Sequence, residues 1–112
     1  GASNQQGLVH AKSLREMQAL AGVPVCEEYN YGGPCTIIMI TEDRQLHTWK
    51  GKTFNDVMEK IESHYEGEIT HFLEALGVPT DRPHYGDYSQ YQPKGEHLGT
   101  DHIGQDFIFL PW

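Results

Sequence analysis

Marked as apolar and polar positions, the chain shows five periodic stretches. The first carries Leu14, Met17, Leu20 and Ala21 at helical spacing. Ser13-Leu14-Arg15-Glu16 opens it as a capping box, with a hydroxyl at the N-cap and a carboxylate three residues on. Gly22 followed by Pro24 closes it, so a short helix is expected over 13–21. Cys35–Thr41 is rich in β-branched residues and lies between Gly32-Gly33-Pro34 and Glu42-Asp43, the setting of a strand. Leu46-His47-Thr48-Trp49 alternates with period two after a polar turn, which predicts a hairpin of 35–41 with 45–50. Thr53-Phe54-Asn55-Asp56 then starts a second helix. Stepping about 100° per residue, Val57, Met58, Ile61, Tyr65, Phe72 and Leu76 all fall within about 60° of Phe54. One apolar face therefore runs from 54 to 76; Gly67 lies off it and allows either a continuous helix or two pieces. Gly77-Val78-Pro79 repeats the terminator Gly22-Val23-Pro24.

From Thr80 to residue 106 the aliphatics thin out and Tyr, His, Gly and Pro take over, which reads as one long loop. Phe107-Ile108-Phe109-Leu110 restores a strand, and one this apolar is expected to pair with the hairpin. Strands and helices do not alternate as a parallel sheet requires, so the fold class is α+β. A small antiparallel sheet (hairpin 35–50 plus strand 107–110) is expected under a long helix 54–76 and a short helix 13–21. The segment Gly95-Glu96-His97-Leu98-Gly99-Thr100-Asp101-His102-Ile103 resembles the Gly-x-x-Leu-x-x-x-x-Ile stretch before the last strand of ubiquitin-like domains. Hairpin, helix and closing strand also follow the β-grasp order, so the resemblance implies a ubiquitin-like β-grasp variant as the alternative fold. The C-terminus departs from that family, ending Leu110-Pro111-Trp112 without a Gly-Gly tail. No activity is carried over from it.

At 112 residues the chain has the length of a single domain. Gly1-Ala2-Ser3 opens without methionine, and residues 1–7 are expected to be a trimmed, flexible remnant outside the fold. Eight Lys+Arg against sixteen Asp+Glu give a net charge of −8 with seven histidines neutral. Phosphate-backbone binding needs clustered cations, so nucleic acid is not an expected partner. The longest apolar run, Ile37-Ile38-Met39-Ile40, is strand length, so no membrane span is expected. Cys26 and Cys35, nine positions apart, are expected as two reduced thiols in a cytoplasmic protein, with a disulfide as the alternative. A processed secreted form is compatible with the same residues.

Candidate chemistry gathers between residues 64 and 102, where five of the seven histidines fall. His64-x₃-Glu68-x₂-His71 places a carboxylate between two imidazoles on one helix face, the type of spacing that metal-carboxylate helices use. His64 and His71 are two turns apart, about 10 Å along an axis, so any further ligands must come from His84, His97, Asp101 or His102. A transition metal such as zinc or iron is the cofactor under this reading; otherwise none is expected. Cys35 with His47, oriented by Glu42 or Asp43, is the only thiol pairing with catalytic chemistry, and no local signature accompanies it. Glu27-Glu28 reads as solvated charge. His84-Tyr85-Gly86-Asp87-Tyr88-Ser89-Gln90-Tyr91 has the mix of rings and small polar residues found in protein-binding loops. The leading expectation is a small acidic, non-catalytic interaction module of the regulator, inhibitor, immunity or accessory-subunit kind. It would hold a basic protein partner through Tyr85, Tyr88, Tyr91, His84 and Asp87. The alternative is a metal-binding protein or metal-dependent enzyme built on His64, Glu68 and His71. The clustered histidines also predict affinity that changes between about pH 7.5 and 5.5.

Overall fold

The computed structural model describes residues 14–81 and 87–112. Its β-branched run forms β1 (Cys35–Ile40) and the alternating run forms β2 (Leu46–Gly51). They pair antiparallel with Cys35 opposite Gly51 and Met39 opposite His47. Before them α1 (Leu14–Ala21) ends at Gly22, whose φ of +76° is a left-handed turn that favours glycine. The expected cap at Ser13 lies outside the described residues. Met17 and Gln18 are buried on α1 while Leu20 is exposed, so the helix turns a slightly different face inward than apolar spacing implies.

The second helical stretch takes the divided form. α2 (Phe54–Tyr65) is capped by Thr53, whose hydroxyl accepts from the Asp56 N–H. Glu66 then adopts the left-handed conformation, φ 57°, and the N–H of Gly67 reaches back to the Glu62 carbonyl. After the connector, α3 (Thr70–Ala75) resumes and ends at Gly77, φ +81°, with the same turn as α1. The apolar spacing survives the break: Phe54, Val57, Met58 and Ile61 of α2 and Phe72 and Leu73 of α3 enter one core.

The described residues 87–106 hold regular structure where one long loop is expected. A short 3₁₀ turn spans Ser89–Tyr91, and β3 (His97–Thr100) precedes β4 (Asp106–Leu110). The sheet is antiparallel throughout, in the order β2-β1-β4-β3. The fold is α+β, as the pattern of elements requires. β1 runs antiparallel to β4. A ubiquitin-like β-grasp closes with its last strand parallel to its first, so that alternative is set aside. The physical reason is α3: it carries the chain from His71, beside the β3–β4 turn, back to Ala75, beside His97 at the start of β3, so β3 runs toward the turn end and β4 returns against β1.

Alternation divides the strands between two layers. Cys35, Ile37, Met39, Trp49, Phe107 and Phe109 point to α2 and α3, where Phe72 stacks on Phe107 at 4.2 Å. Ile38, Ile108 and Leu110 point to the other face, under Met17 and Val23. Trp112 closes that side, donating its indole N–H to the Pro24 carbonyl at 3.0 Å. Among the described residues, no helix is long and apolar enough to cross a membrane.

Candidate functional site

Both hairpins turn at the same end of the sheet, and they are built alike. In the β1–β2 turn the Arg44 N–H donates to the Thr41 carbonyl, and the Thr41 N–H to the Gln45 carbonyl. In the β3–β4 turn Gly104 donates to Asp101, and Asp101 to Gln105, in the same registers. The Gln105 side chain joins the two, its Oε1 accepting from the Glu42 N–H at 2.7 Å. Above them lie the end of α2, the connector and α3. The result is an open cleft of about 600 Å³.

Three donors converge at its edge, His71 and His102 lining the cleft and Asp101 buried beside them. One ligand atom each from His71, Asp101 and His102 lies within 4.8 Å of the others. His71 comes from the first turn of α3, Asp101 and His102 from the β3–β4 turn. The two imidazoles are in edge contact, 3.9 Å between ring centres. Asp101 is buried and fixed by four hydrogen bonds. Its Oδ2 accepts from the Tyr65 hydroxyl at 2.5 Å and Gln105 Nε2 at 2.8 Å; its Oδ1 accepts from the Ile103 and Gln105 N–H groups. Burial alone would raise the Asp101 carboxyl, but these donors, led by Tyr65, outweigh it and hold the group below its ordinary value. Burial raises the Tyr65 phenol, and the hydrogen bond to Asp101 adds to that, so it stays a neutral donor.

His71 is the unusual member. Its Nε2 is buried and, among the described residues, has no hydrogen-bond partner. Burial, then the neighbouring His102, lower its basicity, against the opposing pull of Asp101, Glu68 and Glu74. A neutral imidazole beside an ionised carboxylate is the protonation state that metal ligation requires. A buried polar atom left unpaired costs about 1–3 kcal/mol, so a ligand lone-pair acceptor at this corner would remove a penalty as well as add bonds.

The expected metal set is therefore redrawn. The break after Tyr65 ends the shared helix face, so His64, Glu68 and His71 do not converge. Glu68 falls in the connector, where its carboxylate accepts from the Thr70 N–H and is held low by Thr70. His64 turns to Trp49, at 4.9 Å between ring centres, and to His47 at 5.6 Å. All three residues still line one cleft. Of the loop candidates, Asp101 and His102 join His71, and His97 meets the Ala75 carbonyl at 2.8 Å, closing the end of α3. His84 lies outside the described residues.

The tyrosine loop divides likewise. Tyr85 and His84 lie outside the described residues. Tyr88 and Tyr91 are partly buried against the core under α2 and α3, and the Tyr88 N–H donates to Asn55 Oδ1. Asp87 is exposed, and its Oδ1 accepts from the Ser89 N–H in a local turn. Cys26 and Cys35 are both free thiols. Burial, reinforced by Asp56, pushes the Cys35 thiol up to about 12. His47 pairs with Met39, four positions along β1 from Cys35, so the thiol–imidazole pairing does not form.

The signal that sequence reasoning missed is a turn. Asp101-His102-Ile103-Gly104 has Asp first and Gly fourth, the preference of a type I turn. Reading it as a hairpin would have brought Asp101 and His102 back over the sheet end. No family model matches the chain, and no curated protein and no solved structure matches it either.

Proposed function

We propose that this is a metal-binding protein whose site is His71, His102 and Asp101, taking a divalent transition metal such as zinc or iron(II). The observation that carries the reading is the convergence of one donor atom each from His71, Asp101 and His102 to within 4.8 Å of one another; the His71 ring also holds a buried Nε2 with no hydrogen-bond partner among the described residues. Donor atoms sharing one tetrahedral ion at bonds of about 2.1 Å lie roughly 3.4 Å apart, so binding draws together donors that already lie within 4.8 Å of one another. Two imidazoles and one carboxylate suit zinc or iron(II) and leave coordination positions open to the cleft. Tyr65 and Gln105 hydrogen-bond to Oδ2 of the carboxylate, the outer-shell role that sharpens metal affinity, and Asp101, whose lone pairs are all engaged, exchanges one of its four hydrogen bonds for the ion.

The interaction-module reading draws less support, because Tyr88 and Tyr91 are partly buried against the core and offer a partner only part of their rings. Equilibrium dialysis with zinc and elemental analysis separates the two. One zinc per chain is expected, with His71→Ala and His102→Ala each weakening it about 100-fold or more. His64→Ala and Glu68→Ala are expected to change it less than about threefold. Stoichiometric zinc that survives His71→Ala and His102→Ala would overturn this site, and no zinc at all would overturn the function.

A further inference from the structure

The cleft above the donors carries a second message, in its charge. Its wall includes Glu42 and Asp43 from the β1–β2 turn and Glu68 from the connector, all exposed, and none of its ten lining residues is a lysine or arginine. The apolar part of the wall is the Tyr65 ring and Ile103, an isoleucine left 48% exposed in the middle of the turn. A volume of about 600 Å³ is in the range of small-molecule sites.

We infer that the open coordination position is reserved for a small, positively charged nitrogen-donor ligand, an imidazole or amine whose cationic end meets the carboxylate rim. The inference rests on the metal reading above. A bare metal ion accepts carboxylates, phosphates, imidazoles and amines alike, and its own charge favours anions. The surroundings reverse that preference. An anionic ligand meets Glu42, Asp43 and Glu68 with no cation on the wall to hold it, whereas a cation meets three carboxylates. Attraction between opposite charges in a cleft is weakened by water but not abolished, and salt screens it further. The Ile103 side chain covers an alkyl linker between the donor nitrogen and the charge. The acidity of the whole chain, −8, adds in the same direction at longer range.

The test uses the cobalt(II)-loaded protein, whose visible band reports ligand exchange at the metal. Three imidazole probes of matched length differ only at the far end: a trimethylammonium group, its neutral tert-butyl isostere, and a carboxylate. The quaternary cation cannot chelate, so any advantage it has arises from the protein. The cationic probe is expected to bind about tenfold tighter than the isostere and the anionic probe weakest. In the cobalt-loaded triple variant Glu42→Gln, Asp43→Asn, Glu68→Gln, whose amides keep the local hydrogen-bond acceptors, the three probes should agree within about threefold. Raising the salt should narrow the gap in the parent protein and leave the variant unchanged. A normal cobalt band with no preference, or with preference for the carboxylate, overturns the inference and leaves the metal site standing. Absence of a cobalt band that depends on His71 and His102 overturns the metal reading, and this inference with it.

Discussion

Two neighbouring regions of the same sheet face are built on opposite terms. Under α2 and α3 lies a dry core in which Phe54, Phe72, Phe107 and Phe109 are fully buried and meet ring against ring. At the turn end of the sheet lies a polar corner where Asp101 is held by hydrogen bonds from Tyr65 and Gln105, and the His71 and His102 rings meet beside it edge on. Phe72 and His71 are adjacent in the chain and face the two regions. Stability comes mainly from the first region, and a site with an unpaired buried nitrogen survives in the second because the first can carry its cost.

The sharpest way to break this contrast is to empty the dry core. Phe107→Ala should lose about 3–5 kcal/mol of stability, read as a shift of the denaturant midpoint at constant slope. A loss below about 1 kcal/mol would mean that the stack with Phe72 contributes little. Next in size is the anchor of the polar corner. Asp101→Ala strands the Tyr65 hydroxyl and Gln105 donors, and should cost about 3 kcal/mol. His71→Ala and His102→Ala should instead stay within about 1 kcal/mol of the metal-free parent. If they match Asp101→Ala, the imidazoles are structural and the corner is simply a second core.

Zinc at about 100 times its dissociation constant should stabilise the parent by about 2.7 kcal/mol, or about 10 °C in Tm for a chain this long. The double variant His71→Ala, His102→Ala should show no such rise. The smallest effect is with pH. His71 is less basic folded than unfolded, so the unfolded chain gains the proton first as pH falls through about 6.5, and metal-free stability declines. Asp101, held low in the fold, acts in the same sense near its ordinary carboxyl range, about pH 4. His71→Ala should reduce the upper step, to which His47, also made less basic by burial and by His64, contributes the rest, and should keep the lower one. A stability profile that rises on acidification would contradict both assignments.

The dry core was legible from spacing because apolar periodicity reports burial directly. β1, β2 and β4 fall where the β-branched and aromatic runs place them, and the Gly-Val-Pro terminators fall at both helix ends. The polar corner was legible only in parts. Asp101 and His102 could be named as donors within reach, but their meeting with His71 depends on β3, and His-Leu-Gly-Thr offers a single aliphatic residue to mark a strand. β3 is an edge strand whose Leu98 is exposed, so burial leaves little trace in its pattern. The helix break is similar. Glu66 takes a left-handed turn beside Gly67, and the apolar face continues in register on the far side, so spacing alone fits both a continuous and a divided helix. Periodicity records which side chains leave water; convergence of polar groups from two elements is a tertiary fact.

The central claim is that the two imidazoles of the corner, and not His64 of α2 with His47 of β2, receive the metal. Long-range ¹H–¹⁵N spectra of the histidine rings during a zinc titration test it directly. The account predicts that the His71 and His102 ring nitrogens move together and saturate at one equivalent, while those of His47, His64 and His97 hold their positions. Saturating shifts confined to His47 and His64, or rings that all respond weakly and in proportion to added zinc, would contradict it.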